Sequence, residues 1–535
     1  MSTVLHKAPS TMKIGDLNTG LQILADLPLG DAERAELELN RFFDSLLQSP
    51  PESEIYLQLL EQTRIALCFI EEERARCYTN KALPLGEFEE RAFRRVVDTW
   101  LKAARAYAHC AQLKSPGGST AHAERLALIL HRCIYYSGMA ISEHYRARQH
   151  LSSGLWLNLH GYYASAEEWG VARLPVGDSL DAQGRNTQCT TAYVSLLLIE
   201  LAGPYGLSVE EAGLVRRWAN SWAPLVSLHA TAADEPLAPL LVDLMHDAGV
   251  RAACDCRQAA QLRRLDSSRL ALQLRQARKL LQERVSPAQI GLGEDCTDEQ
   301  CRLLLNRLFK RWGLLHTGRK FRRHTASGTS RVCSGFTGMH FHVSGKEFSQ
   351  PESERVYSRQ DFDTLFAFRH MLEPAQMLEV RQVQLGLGLD IWEVLDQSAS
   401  GFRLLRAGAG RKIEPRQLVS ICPHDGKSHL LAQVAWLMQE QGGCLLAGIA
   451  ALPGKPQAVA VRPLTQEAGQ SGPYSRAFLL PAMEAMAAEP TLVIPRGWYQ
   501  TGRLLEVYSE SLRRVRLQRL ASEGADFERV TFVEL

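Results

Sequence analysis

Asp396-Gln397-Ser398-Ala399-Ser400-Gly401-Phe402-Arg403-Leu404-Leu405 sets a cluster of turn-forming residues between two apolar runs, 383–394 before it and 401–405 after it. Asp, Ser and Gly at such a junction support a tight turn, so the stretch predicts a β-hairpin. Outward from it, 417–421 reads as the next strand and His424-Asp425-Gly426-Lys427 as a turn. Residues 430–438, with Val434-Ala435-Trp436, and 444–449 continue the β pattern, and Trp436 is expected in the core of its strand. Short strands separated by turn residues at this spacing predict a small antiparallel barrel.

Upstream lies Arg319-Lys320-Phe321-Arg322-Arg323, an RxxxR pattern, followed by 331–343 as an expected first strand that sets His340 and His342 on one face. RxxxR (Arg319, Arg323), then DxSxxG (Asp396, Ser398, Gly401), then the Leu-Val-x-Ile strand, the V-x-W strand and a glycine-containing closing strand occur in one order. Together they resemble the PilZ domain, the bacterial receptor module for cyclic di-GMP. The resemblance covers 318–461, in the C-terminal part of the chain. It departs from the family in one respect: an insertion at about 344–382, with a helix expected at 361–372, separates the two patterns. Loop closure grows costlier only slowly with length, so an insertion leaving from one end of a barrel is tolerated.

The resemblance implies cyclic di-GMP as ligand, with no cofactor or metal. The residue chemistry agrees. An arginine fork pairs bidentately with a phosphate or with guanine O6 and N7. Asp396 would accept from guanine N–H groups with Ser398 beside it, and Gly401 is expected to let the backbone turn at positive φ.

Length and composition bound the rest. The chain has 535 residues, 45% of them hydrophobic, enough for about three domains with sizeable cores. The reading is α+β multidomain: an all-α array over 1–312, a PilZ-like β-barrel over 313–465 and a β-rich extension over 466–535. A net charge of +2 gives no global reason to expect nucleic acid or a membrane surface. Charge is local instead, since 302–331 holds nine Lys or Arg and no Asp or Glu. No leader-like segment or apolar run of membrane-spanning length is visible, which points to the cytoplasm. The twelve cysteines form no zinc-spaced double pair, Cys254/Cys256 and Cys296/Cys301 included, and are read as reduced thiols.

Apolar residues at helical spacing predict helices over 37–47, 55–77, 88–111, 121–147, 190–202, 208–221, 236–248, 267–285 and 298–312. Trp156-x-x-Leu159-x-Gly161-Tyr162 has the look of a helical repeat, but no 34-residue period surrounds it. In the tail, 476–480, 491–494, 503–508, 515–520 and 527–535 read as strands, which either extend the first barrel or form a second. Enzyme signatures are missing: Gly426-Lys427-Ser428 has Ile421 where a P-loop needs glycine, and Gly386-x-Gly388 lacks the third glycine of a dinucleotide fingerprint. The expected function is therefore a non-enzymatic cyclic di-GMP receptor whose helical region binds a protein partner and is reoriented on nucleotide binding. A PilZ-like adaptor without ligand, and a nucleic-acid binder using 302–331, are the alternatives.

Overall fold

The computed structural model describes residues 14–113, 119–181, 184–231, 240–252, 261–313, 323–351, 387–424, 426, 428–464 and 472–535. The architecture is α+β multidomain, and the chain divides into two compact units, one of Met1–Lys81 with Leu85–Gly318 and one of Ala82–Pro84 with Arg319–Leu535.

The first unit is built from α1 (Leu17–Ala25), α2 (Ala32–Gln48), α3 (Ser53–Ala75), α4 (Glu87–Gln112), α5 (Ser119–Arg146), α6 (Leu155–Glu168), α7 (Cys189–Leu201), α8 (Val209–Trp222), α9 (Ser268–Gln282) and α10 (Asp298–Trp312). Their starts follow from side-chain caps. Asp16 and Asp31 accept from Thr19 and Arg34 backbone N–H groups, and Ser208/Glu211 and Thr297/Gln300 form capping boxes. The interior is aromatic, with Trp100 stacked on Tyr136 at 5.7 Å and Tyr163 on Tyr193 at 4.1 Å. It also holds paired charge: the buried Arg132 grips both oxygens of Glu61 at 2.9 and 2.8 Å, and Arg64 meets Asp178 at 2.8 Å.

This unit is not purely helical. A four-stranded antiparallel sheet, in the order β1 (Ser227–Ala230), β4 (Leu262–Asp266), β2 (Leu240–Asp243), β3 (Val250–Ala252), interrupts the array. The helix expected at 236–248 is corrected: Leu240–Asp243 is a strand, because a short apolar run has no periodicity of its own and takes the conformation its neighbours offer.

The second unit contains two barrels. In the first, β7 (Asp390–Ser398), β6 (Thr329–Ser334), β9 (Leu418–Pro423), β10 (Leu430–Gln439), β11 (Leu445–Ala451) and β8 (Gly401–Arg406) pair in that order, and β8 returns to β7 to close the ring. The two-residue strand β5 (His324–Thr325) pairs with the C-terminal half of β7, on the side that β6 holds at its N-terminal half. In the second, β12 (Gln457–Pro463), β13 (Ser475–Leu480), β14 (Thr491–Pro495), β17 (Phe527–Glu534), β16 (Leu512–Glu523) and β15 (Leu504–Tyr508) form a closed barrel. The tail is therefore a barrel of its own. Its first strand, Gln457–Pro463, lies before the boundary expected at 465, because it pairs with β13 and β15. Along β16, Val515 and Leu517 point into the core while Arg514 and Arg516 face solvent, the alternation a half-wet strand requires.

Between the barrels lies α11 (Phe336–Ser344). This corrects the strand expected over 331–343, which ends at Ser334; Gly335 follows at φ 82° and starts the helix. His340 and His342 thus leave a helix on different sides rather than sharing a strand face. His340 is buried, whereas His342 donates from Nε2 to the Leu387 carbonyl at 2.9 Å and stacks on His429 at 5.1 Å. Cys333, Leu418 and Leu431 of the first barrel and Met339 of α11 share one apolar cluster with Phe478, Leu480, Val493 and Phe527 of the second barrel. Polar ties reinforce the seam: Asp526 accepts from the Leu418 N–H at 2.8 Å, and Gln433 donates to the Glu523 carbonyl at 3.1 Å. β9 is consequently buried on both faces.

Candidate functional site

The hairpin quoted at the outset forms as expected, with Ala399 and Ser400 as its two-residue turn and Ser398 opposite Gly401. That register fixes what stands beside Asp396. Gln397 faces Phe402 and Asp396 faces Arg403 across the β7–β8 pair, with a bulge between Val394 and Asp396 that re-aims the carboxylate. On the other side of β7, His324 pairs with Gln397 and Thr325 with Asp396, which brings Arg323 to the same carboxylate.

Asp396 is held between two guanidinium groups, Arg323 Nη1 at 3.0 Å from Oδ1 and Arg403 Nε at 2.9 Å from Oδ2. Both are ion pairs without the alignment of a hydrogen bond. The carboxylate is 14% exposed, while Arg323 and Arg403 are 33% and 43% exposed and keep donors for a further acceptor. Among the described residues Ser398 Oγ has only long contacts, 3.4 Å each to the Gly401 carbonyl, the Ser400 N–H and the Ser400 hydroxyl, so it retains capacity for a ligand.

Gly401 serves a different purpose from the one expected. It is absent from the positive-φ glycines, so the turn does not need its conformational freedom. It is needed for space, because a Cβ there would lie 2.1 Å from the Ile449 carbonyl oxygen on β11. Trp436 also differs from expectation. Its indole is half-buried and covers Gly448 on β11, its cross-strand partner, instead of entering the core.

The structure thus brings Arg323, Asp396, Ser398 and Gly401 to one end of the β7–β8 hairpin. Arg319 lies outside the described residues, as do the helix expected at 361–372 and Cys254-Asp255-Cys256. Arg403 was not singled out in the sequence, although a two-residue turn at 399–400 places residue 403 opposite 396 by counting. Among the described residues no cluster of His, Cys, Asp and Glu is arranged to hold a metal ion, and no helix is long and apolar enough to cross a membrane.

Three described residues of the basic stretch 302–331 have partners within the fold. Arg302 pairs with Glu299, Arg307 meets Glu211 at 3.0 Å, and Arg311 donates to the Leu201 carbonyl at 3.3 Å.

Comparison with known proteins finds three family models in order along the chain. "Cyclic-di-GMP receptor FimW, N-terminal domain" matches residues 19–234, "Cyclic-di-GMP receptor FimW, middle PilZ domain" matches 241–370, and "FimW C-terminal beta-barrel domain" matches 459–535. A curated relative, the "Cyclic-di-GMP receptor FimW" of Pseudomonas aeruginosa, is 24% identical over an alignment covering 94% of this chain and 88% of the relative. No solved structure matches the chain. The PilZ resemblance is thereby placed in the middle of the chain rather than its C-terminal part. Arg319 and Arg323 fall inside the PilZ match; Asp396, Ser398 and Gly401 fall between it and the C-terminal one.

Proposed function

We propose that this chain is a cyclic di-GMP receptor, not an enzyme, whose nucleotide site is the end of the β7–β8 hairpin. Arg319 and Arg323 grip phosphate and guanine, Asp396 accepts from the guanine edge, Ser398 adds a hydrogen bond, and Gly401 holds the hairpin against β11. The observation that carries this reading is the 3.0 Å contact between Arg323 and Asp396, since two patterns separated by an insertion meet at one point. The relative's name and the PilZ match support the same ligand. Arg403 joins the site as the group that keeps Asp396 oriented when Arg323 turns to the ligand. Three arginines against one carboxylate leave the net positive charge that a ligand with two phosphates requires.

A cytoplasmic location, partner binding through the helical region, and its reorientation on nucleotide binding belong to the same reading. A nucleic-acid interface along 302–331 is disfavoured, because Arg302, Arg307 and Arg311 already have internal partners. Titration calorimetry with cyclic di-GMP and cyclic di-AMP tests the proposal. Saturable heat with the guanine nucleotide alone is expected; no heat with either, in folded protein, overturns it. A change in solution scattering on saturation tests the reorientation.

A further inference from the structure

The seam between the two barrels contains an open pocket of about 470 Å³, far enough from the hairpin end to share none of its residues. Phe336 from α11, Phe348, Tyr474 and Arg476 from β13 are among the side chains that line it. That volume is within the range of small-molecule sites, about 300–1,000 Å³.

Its chemistry is lopsided. Among the described residues Arg476 makes no ion pair, and its Nε is buried without a hydrogen-bond partner. Its guanidinium carbon lies over the Phe348 ring, 4.7 Å from the centroid, a cation–π contact that restrains the group at the pocket wall. The other cation nearby is already committed, since Arg462 is bonded to Glu506 at 2.7 Å and lies over the Tyr474 ring at 4.3 Å. Behind the wall, His340 packs against Phe348 at 5.2 Å and Phe478 at 5.9 Å, 7% exposed and with neither ring nitrogen in a hydrogen bond. The Val459 backbone lies close to that ring without hydrogen-bond geometry. Buried polar atoms left without partners are uncommon and ask for an explanation. Here they sit beside aromatic walls and one restrained cation.

We propose that this pocket binds a small aromatic anion, a ring carrying a phosphate or carboxylate group. The anion meets the guanidinium of Arg476, and the ring lies against Phe336 and the rim of Tyr474. Neither part suffices alone, because a single guanidinium at an open pocket binds a bare anion weakly and the aromatic walls are too open to hold a neutral ring. This inference does not rest on the reading of the hairpin site.

The test uses the full chain with Asp396→Ala, so that the hairpin site does not contribute, and follows phenyl phosphate, benzoate, inorganic phosphate and phenol by ligand-observed NMR and calorimetry. Phenyl phosphate or benzoate is expected to saturate the site, with inorganic phosphate and phenol each roughly tenfold or more weaker. The better of the two ring anions identifies the acidic group. Adding Arg476→Gln should weaken the ring anion about tenfold or more, the loss of one charge-assisted pair. Ser475→Phe, which fills the mouth and keeps the arginine, should do the same. Circular dichroism and cyclic di-GMP binding of Arg476→Gln in the parent background check the fold. Binding unaffected by both substitutions, inorganic phosphate as tight as phenyl phosphate, or no binding by any of the four overturns the proposal.

Discussion

Replacing Gly401 with alanine separates two explanations of a glycine. The added Cβ would lie 2.1 Å from the Ile449 oxygen, 3.2 Å from its carbonyl carbon and 3.3 Å from Ala450 Cα. All three atoms are backbone of a paired strand, so no side-chain rotation relieves the contact. The β8–β11 pair must part by roughly 1 Å or more to restore an ordinary van der Waals separation, against a strand spacing of ~4.8 Å. Overpacking of that kind costs about 1–3 kcal/mol, and weakening one adjoining ladder hydrogen bond adds about 0.5–1.5 kcal/mol. The damage should be local, at Gly401–Ala450 and at the 3.0 Å bond from the Ala451 N–H to the Ser400 carbonyl. Hydrogen exchange read by mass spectrometry on peptides covering β8 and β11 reports it. A loss of ~2–4 kcal/mol in local opening corresponds to exchange roughly 30- to 700-fold faster. Gly401→Asn supplies the decisive comparison, because asparagine tolerates left-handed backbone better than alanine but is larger. If space is the constraint, asparagine is at least as damaging as alanine. Unchanged protection in Gly401→Ala, or asparagine tolerated better than alanine, refutes the close-approach argument.

The remaining expectations are more direct. Arg323→Ala should weaken cyclic di-GMP by about 1.5–3 kcal/mol with little change in unfolding midpoint, since the group is partly exposed; normal affinity in calorimetry would remove it from the site. Arg403→Ala should weaken binding less than Arg323→Ala, and an equal or larger loss would mean that Arg403 itself grips the ligand. Trp436→Ala should cost stability by about 1–3 kcal/mol, below the value for a fully buried tryptophan, and leave nucleotide affinity intact. Burial pushes the Asp526 carboxyl up from 3.8 to about 6, so the folded chain holds this proton more tightly than the unfolded one. Its contribution is greatest below the unfolded value and is lost as pH rises through about 6. Asp526→Asn keeps an acceptor for the Leu418 N–H and should flatten denaturation midpoints across that window; identical pH slopes in variant and parent would exclude it.

What the sequence made legible was local. Helices such as Val209–Trp222 carry both their period and their cap, and the 398–401 hairpin carries its turn, so each is written in consecutive residues. Elements decided by distant partners were not. Leu240–Asp243 is apolar enough for either state, and only pairing with Val250–Ala252 and Leu262–Asp266 makes it a strand. His340-Phe341-His342-Val343 alternates like a strand yet is helical, because α11 packs into the seam where Met339 meets Phe478. At the candidate site, Asp396 and Arg323 were singled out for their chemistry, and the fold brings the two side chains together. The reason for Gly401 was not, since it depends on Ile449 across a different strand pair.

The seam has a bearing on how this molecule can be divided. The N–H of Leu418, the outer face of β9 and the loop carbonyl of Arg416 are all completed by residues 523–527. A chain ended after Ala451 would open Cys333, Leu418 and Leu431 to water and strip a buried amide of its acceptor. The second barrel is thus the outer wall of the first, and a cut between them exposes the core of both.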